Sequence, residues 1–511
     1  MTLRAPEPAP AGATLEELAH EVGGATVQGD PGTRVNDVRH DSRAVEPGDL
    51  FVARRGLRSD GRAFLADALA RGAAAVACDE ALALPVPVLV VKDPEGALGP
   101  MSSLVWGHPT WALDVVGITG TNGKTTTAWL VEHCLRATGS RPGLLGTVEH
   151  RFEARRWPAL HTTPEADDLA RRFGCMRDLG ATHAVMEVSS HALSMKRVAA
   201  VQFTVAALTN VTQDHLDHHG TFEAYADAKR SLFLSYGPGR TVLNVDDAVG
   251  AGLARELDGA MTVSARGAPA RVRVVAGGPT AHGVDAHVET SAGVLPLRSP
   301  LVGAHNVENL LVALGILRAL GLPYADALLA LRDARGAPGR LEVVGLPGVA
   351  LPFSVLVDYA HTPDALERVL TTLRATTPGR IVCVFGCGGD RDPSKRAPMG
   401  RAVGRAADVA ILTTDNPRSE DPGRIAEAAA AGLREAGLRD TPGADDARGW
   451  FAVELDRRRA IRRAVELGRE GDLVLIAGKG HETWQEVRGV RTPFDDREEA
   501  RGALRQRFPG A

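Results

Sequence analysis

Residues 111–127 read WALDVVGITGTNGKTTT: an apolar run, a glycine-rich turn, then lysine and three threonines. A strand that passes into a helix through such a turn directs backbone N–H groups and the positive helix end at one point, which suits a phosphate. A strict Walker A, G-x-x-x-x-G-K-[ST], needs glycine at position 118, but Ile118 stands there and the glycines are Gly117, Gly120 and Gly123. The physical parts are nonetheless present. Gly120, Thr121, Asn122 and Gly123 form the turn, Lys124 can neutralise β/γ oxygens, and Thr125 can ligate Mg²⁺ at the helix start, with Thr126 beside it.

With 511 residues, one compact core is not expected, and the texture changes twice along the chain. Residues 1–110 combine short helices (TLEELAHEV, FLADALARG) with brief strands (VNDVRHDSR, GDLFVARRG, VPVLVV), a small α/β domain that binds rather than reacts. Residues 111–339 alternate strands (DVVGI, HAVMEV, AALTNV, TVLNV) with helices, which predicts a mostly parallel sheet. Within them, RVRVVAGG, AHVET and GVLPLRS suggest an antiparallel side sheet, and HNVENLLVALGILRALG a helix. Residues 340–511 carry four apolar strands, SVLVDYA, RIVCVFG, VAILTTD and DLVLIAG, each ending in polar or glycine-rich residues. That pattern predicts a doubly wound, Rossmann-like domain with ligands beyond the carboxyl ends of its strands.

A net charge of −4 makes no global case for nucleic acid or an anionic membrane. MTLRAPEPAPAGA has no apolar h-region and reads as a disordered leader, and ALALPVPVLVV is too short and proline-broken to span a bilayer. The five scattered cysteines suit a reducing compartment, and Cys383 with Cys387 reads as a pair of buried thiols rather than half a zinc site. These features predict a cytoplasmic protein; a monomer is the expected state, although no sequence feature fixes it.

Two further stretches carry chemistry. Glu187, at the end of HAVMEV, can hold Mg²⁺ as a strand-end carboxylate or stand as a solvated loop acid. In NVTQDHLDHHGTFEAYADAKRSLF, Asp214, His215, Asp217, His218 and His219 crowd together, and Lys229 follows. His215 is the better ligand candidate, and His218 and His219 read as solvated turn residues. An ammonium at Lys229 beside a divalent cation would be repelled by ~4 kcal/mol per unit of metal charge. Lys229 therefore points away, contacts substrate phosphates, or is converted to an anion, as reaction with CO₂ would do.

In order along the chain stand HDSR, GITGTNGKTTT, HTTPE, MEVSSHAL, NVTQDHLDHHG, YADAKRSLF, GAHNVENLLVA, APGRLE, VDYAHTPD, GGDRD, DNPRSEDP and AGKGHE. Together they resemble the Mur ligases of peptidoglycan synthesis, in the branch that adds the third peptide residue. The resemblance implies a three-domain α/β architecture with a central ATPase domain. It also implies ATP-dependent amide formation: a substrate carboxylate takes the γ-phosphoryl group, and an amine then displaces phosphate. By that resemblance Lys124, Glu187, His215 and Lys229 would be catalytic, with Thr125, Glu187, His215 and a carbamate on Lys229 around Mg²⁺. Asn306, Asn309, Arg340, Asp358 and Lys395 would join the loop in binding ATP, with His361 in the same YAHTPD segment.

Ser42, Arg43, Thr162, Thr163, Ser189 and Arg197 would grip UDP-N-acetylmuramoyl-L-Ala-D-Glu, with Met195 where relatives often carry glutamine. Without the resemblance, Ser42 and Arg43 read as a loop with a surface salt bridge. Arg391, Asp415, Asn416, Arg418, Gly478 and Glu482 would receive the incoming amino acid. Arg418 offers a bidentate fork to the distal carboxylate of meso-diaminopimelate, and Asp415 or Glu482 an anion for its ammonium. Arg418 as the cap of a turn is the plainer reading, and lysine or ornithine the alternative substrates. Other classes are a folylpolyglutamate synthase-type ligase, a P-loop switch or transport ATPase, and a metal phosphoesterase.

Overall fold

The computed structural model describes residues 9–56, 60–280, 283–440 and 448–509. The chain divides into two compact units, Met1–Val275 with Val288–Leu295 and Glu308–Leu331, and Ala276–His287 with Pro296–Val307 and Arg332–Ala511.

In the first unit, strands Thr26–Gln28, Val88–Val90, Ala75–Cys78, Leu50–Val52 and Val38–Arg39 form a five-stranded sheet in that spatial order. The helix Leu15–Val22 starts where expected because Thr14 and Glu17 close a capping box. The expected leader lies outside the described residues as far as Pro8. Farther along, the leader reading is corrected: the amides of Ala11 and Gly12 donate to Val105 O, and Ala13 pairs with Val35. An edge-strand register holds these small residues without any hydrophobic signal in the sequence.

The central sheet is built from β1 (Asp114–Thr119), followed by α1 (Lys124–Ala137), β2 (Pro142–Leu145), α2 (Ala166–Asp178), β3 (His183–Glu187), α3 (Ser190–Ser194), β4 (Val205–Leu208), α4 (Leu216–His219), α5 (Phe222–Leu234), β5 (Arg240–Asn244) and β6 (Met261–Ser264). Their spatial order is β2-β3-β1-β4-β5-β6, all parallel. β1 is central, and Val115, Val116 and Ile118 are fully buried, so the phosphate loop leaves from the stiffest part of the sheet. The expected side sheet, Val272–Thr280, Gly283–Thr290 and Gly293–Ser299, continues the same eleven-stranded sheet instead of standing apart. The helix α6 (Ala304–Ala319) buries consecutive residues such as Val312, Ala313 and Leu314, so it is a core helix more than an amphipathic one.

In the second unit the parallel strands are β7 (Ser354–Asp358), β8 (Ile381–Phe385), β9 (Val409–Leu412), β10 (Trp450–Val453) and, after α7 (Arg457–Leu467), β11 (Leu473–Ala477). They stand in the order β7-β11-β8-β9-β10. The four strands expected from the sequence are present; β10, from WFAV, is a further one, and the short strand Arg439–Asp440 pairs parallel to it at the edge. A hairpin of β12 (Trp484–Val487) and β13 (Val490–Pro493) and the helix α8 (Asp496–Arg507) complete the chain. The loops after β8, β9 and β11, which are neighbours in the sheet, carry GCGGDRD, TTDNPRSEDP and AGKGHE. All five cysteines are buried thiols outside any disulfide, as expected for Cys383 and Cys387.

Candidate active site

The phosphate loop is shaped by two glycines that no other residue can replace. Gly120 has φ +148° and Gly123 φ +88°; a Cβ on Gly120 would lie 1.9 Å from Thr209 Oγ1, and one on Gly123 2.2 Å from Asn309 Oδ1. Thr209 Oγ1 also donates to Asn122 O (2.6 Å), and the Asn122 amide donates to Asn210 Oδ1 (3.0 Å), so β4 clamps the loop from one side. Asn309, named from the sequence, thus stands against the loop. Thr126 is half-buried on the first turn of α1.

Two lysines converge on one carbonyl: Lys124 Nζ (2.8 Å) and Lys229 Nζ (2.9 Å) both donate to Gly120 O. Lys229 is buried, 4.5 Å above the Tyr225 ring, whose hydroxyl meets Thr121 Oγ1 at 2.9 Å. Burial first, and the like charge of Lys124 second, push the Lys229 amine well below the usual lysine range. The charge conflict read from the sequence is thereby eased at the amine itself, whose surroundings disfavour the charged form.

Glu187 joins two sets of residues. Its Oε2 accepts from Thr125 Oγ1 (2.9 Å) and Thr147 Oγ1 (3.1 Å), and its Oε1 accepts the Thr147 amide (2.8 Å). Its backbone carbonyl accepts Thr163 Oγ1 (2.9 Å); Thr163 Oγ1 in turn lies 3.3 Å from Ser189 Oγ and accepts the Ser189 amide. Thr162 Oγ1 meets Thr147 Oγ1 at 3.0 Å. Arg197 donates to Thr163 O (3.1 Å), contacts Met195 Sδ (3.6 Å) and pairs with Glu165 (2.7 Å). Four residues expected at the muramoyl-peptide end, Thr162, Thr163, Ser189 and Arg197, therefore gather around the carboxylate that touches the phosphate loop. A hydroxyl and a carboxylate oxygen suit a hard cation such as Mg²⁺, which takes its remaining ligands from water and phosphates.

His215 is not part of that arrangement. Its imidazole is half-exposed, 3.7 Å from Asp214 and edge-on to His191 at 4.9 Å. Among the described residues no group of three or more His, Cys, Asp or Glu side chains forms a metal-holding set. The solvated reading of His218 and His219 is corrected: both are half-buried, with His218 Nε2 3.0 Å from Ser194 Oγ and His219 Nε2 3.0 Å from Ser190 Oγ. His191, from MEVSSHAL, draws them in by stacking on His218 at 4.1 Å. The side chain of Asp217 lies outside the described residues.

At HDSR, Ser42 is buried, while Arg43 is 82% exposed in its side chain and pairs with Asp41 at 2.7 Å, the plain surface bridge. The unexpected contact is His40 Nδ1 to Asp167 Oδ1, 2.8 Å, which ties this loop to α2. Burial opposes charge on Asp167, but the His40 hydrogen bond and charge outweigh it and hold the carboxyl at about 2. No motif in the sequence links His40 to Asp167.

In the second unit, Asp358 accepts the amides of Leu341 and Ala360 (2.8 Å each), and burial raises its carboxyl above the usual range. Arg340 lies 4.7 Å over the Tyr359 ring, His361 Nδ1 meets Tyr359 O at 2.7 Å, and Asn306 donates to Val302 O. Lys395 and Arg391 are exposed.

The amino-acid residues are more tightly knit. Asn416 Nδ2 donates to Glu482 Oε2 (2.9 Å), and Asp415 Oδ1 is buried without a hydrogen-bond partner. Arg418 has φ +52°, held by Arg418 N to Glu486 O (3.2 Å) and Arg488 N to Arg418 O (2.6 Å), and its guanidinium donates to Gly389 O at 2.5 Å. Gly478 donates its amide to Asp358 O, 3.1 Å. Sequence reasoning missed three contributors here. One is the β12–β13 hairpin that frames Arg418. Another is Arg457, fully buried, which pairs with Asp496 (2.6 Å) and donates to Ala477 O (2.9 Å). The third is Lys479, in the middle of AGKGHE, whose side chain has no solvent exposure. A lysine flanked by two glycines at a strand end was the available signal.

Comparison with known proteins matches residues 34–98 to the Mur ligase family, catalytic domain, 118–317 to the Mur ligase middle domain, and 339–480 to the Mur ligase, glutamate ligase domain. The UDP-N-acetylmuramoyl-L-alanyl-D-glutamate–2,6-diaminopimelate ligase of Parasynechococcus marenigrum is 43% identical over 97% of this chain and 100% of its own. The protein of the same name from Streptomyces avermitilis is 43% identical over 98% of each chain. A solved structure of a ligase of that name superposes with a TM-score of 0.71 at 32% identity, covering 97% of this chain and 99% of its own. A folylpolyglutamate synthase from Mycobacterium tuberculosis shares the fold at 19% identity, with a TM-score of 0.55 over 74% of this chain and 90% of its own. With its three domain matches in sequence and relatives at 43% identity along its length, the chain belongs to the Mur ligase family.

Proposed function

We propose that the chain is an ATP-dependent ligase that joins meso-diaminopimelate to UDP-N-acetylmuramoyl-L-Ala-D-Glu. The observation that carries this reading is Glu187, whose carboxylate touches the phosphate-loop Thr125 while its carbonyl holds Thr163. An acyl phosphate forms only where a carboxylate reaches a γ-phosphate, and one residue here spans both sites. The named relatives support the choice of acceptor and amino acid.

In this reading residues 1–110 bind the uridine end through Ser42 and Arg43, residues 111–339 bind ATP, and residues 340–511 present the amino acid. Thr162, Thr163, Ser189 and Arg197 orient the peptide so that its γ-carboxylate oxygen attacks the terminal phosphorus and ADP departs. Lys124 and the loop amides stabilise the charge on the phosphate oxygens. The amino group, having lost its ammonium proton to solvent, then attacks the acyl carbon; the acyl C–O bond breaks, its electron pair leaves with inorganic phosphate, and the nitrogen releases a second proton to solvent as the amide forms. Thr125 and Glu187 would hold Mg²⁺, while His215, expected as a ligand, stands outside their contacts. The ion supplies charge neutralisation between phosphate and carboxylate. A neutral buried amine is what CO₂ requires, so Lys229 suits a carbamate, which turns a repelling group into an anion. Asn306, Asn309, Arg340, Asp358 and Lys395 complete the nucleotide contacts, and Arg391, Asp415, Asn416, Arg418, Gly478 and Glu482 take the diamino acid.

No helix among the described residues is long and apolar enough to cross a membrane, and we place the enzyme in the cytoplasm as a monomer. The test is phosphate release and mass of product with ATP, UDP-muramoyl-dipeptide and a panel of diaminopimelate, lysine and ornithine. Release that depends on both acceptor and diaminopimelate, with a lengthened peptide, is the expected result. Equal ATP consumption without acceptor sinks the reading.

A further inference from the structure

Lys479 is buried with 0% side-chain exposure among the residues that take the amino acid. Its Nζ donates to Asn416 Oδ1 (3.0 Å) and Glu482 Oε2 (3.2 Å), lies 3.6 Å from Asp415 Oδ1, and stands 5.5 Å from the Trp484 ring centroid. Asn416 Oδ1 also accepts the Glu486 amide (3.0 Å), which leaves the Asn416 Nδ2 to face Glu482. The other fully buried cation close by, Arg457, is matched by its own anion, Asp496, at 2.6 Å. Around Lys479 itself, two carboxylates, Asp415 and Glu482, face one ammonium, with Asp415 Oδ1 still free to accept, while Arg391 and Arg418 are the cations assigned to the ligand.

We propose that Lys479 sets the charge of the amino-acid pocket and so selects an amino acid with a neutral, doubly ionised far end over one with a bare cationic end. This rests on the function proposed above and deepens it. The ammonium of Lys479 repels surplus positive charge on the ligand. A diamino dicarboxylate, net zero overall, brings none, whereas lysine or ornithine carries one net positive charge. Removing Lys479 makes the pocket more negative by one charge and so favours the more cationic amino acid. The energetics agree that the lysine is not there for stability alone. A buried charge with hydrogen-bonded partners rarely stabilises a fold better than an apolar side chain of the same volume.

The experiment compares wild type with Lys479→Met and Lys479→Gln, using phosphate release and product mass with saturating ATP and UDP-muramoyl-dipeptide. The ratio of kcat/KM for meso-diaminopimelate to that for L-lysine is expected to fall about tenfold or more, mainly through KM for the amino acid, with KM for ATP unchanged. A merely structural role lowers both amino acids equally, and that result overturns the proposal. The conservative variant Lys479→Arg keeps the positive charge. Its ratio is expected within about threefold of wild type, and it carries the test should neither neutral variant fold. A ratio depressed tenfold in Lys479→Arg also overturns the proposal. If wild type lengthens the peptide with no diamino acid at all, the proposed function has failed, not the role of Lys479.

Discussion

Lys229 and Lys479 are buried to the same degree, 1% and 0% exposed, yet their surroundings are opposite. Lys229 has a carbonyl, an aromatic face and a second lysine for company, and is driven toward the neutral amine. Lys479 has an amide oxygen, a carboxylate in contact and a second carboxylate 3.6 Å away. Burial makes a lysine's charge expensive in both places; the neighbours decide whether the chain discards that charge or uses it. In the proposed function, the first arrangement would offer CO₂ a nucleophile beside the phosphate loop, and the second would give the amino-acid pocket a fixed cation.

The largest expected effect breaks the first half of that contrast. Lys229→Met should lower kcat/KM on the order of 10³-fold, as loss of a group stabilising transition-state charge does, and bicarbonate should not restore it. Its unfolding free energy should stay level or rise, because a desolvated amine without an anion is replaced by an apolar chain. With ¹³C-bicarbonate, a carbamate resonance should appear in wild type and in Lys479→Met and vanish in Lys229→Met. Near-normal turnover in Lys229→Met rules out the carbamate.

The second half is tested where a buried cation depends wholly on its anion. Asp496→Asn strands the Arg457 guanidinium and should cost about 3 kcal/mol in urea unfolding. Adding Arg457→Met should recover most of that loss; no recovery would mean that packing, not charge, accounts for the cost. A smaller effect belongs to Arg418→Lys, which loses the planar fork. It should reduce diaminopimelate use about thirtyfold and lysine use far less. Equal losses would leave Arg418 as a cap on Gly389 O and no more.

The same contrast explains what could be read from the chain beforehand. The parallel strands announced themselves because strands covered on both faces are continuous apolar runs: DVVGI, RIVCVFG and DLVLIAG each became what they promised. Lys124 and Thr125 could be named because a phosphate loop is a contiguous stretch after a strand, and Glu187 because it ends an apolar strand; the structure adds the contact of Thr125 Oγ1 with Glu187 Oε2. Lys229 could be questioned from charge alone, but its lowered proton affinity comes from burial and from Lys124, which reaches the same Gly120 carbonyl. Lys479 was passed over for the converse reason: its partners come from two loops after non-consecutive strands, β9 and β11. The hairpin β12–β13 hid because its strands are half-exposed or exposed and lack an apolar face. Histidines 218 and 219 were misjudged because the residue that shelters them, His191, lies 27 positions upstream of the first.

The smallest effect concerns a buried pair whose charge is neither discarded nor permanent. His40 and Asp167 meet at 2.8 Å, with His40 raised above 6.5 and Asp167 lowered from 3.8 to about 2. For His40 burial works against the charge, and the Asp167 hydrogen bond and charge overcome it. Asp167, depressed, contributes stability above the carboxylate's unfolded value and loses it as pH falls through about 2. His40, raised, contributes fully below 6.5 and loses its share as pH rises through its folded value. The ionic pair is therefore intact in mildly acidic solution and half-dismantled in alkaline solution, where the neutral ring can still donate a hydrogen bond. Asp167→Asn should cost about 2 kcal/mol in urea unfolding at mildly acidic pH, and about 1 kcal/mol less at alkaline pH. A cost that is the same at both pH values would mean that His40 is never charged against Asp167, and that this loop, unlike Lys479, is held by a hydrogen bond alone.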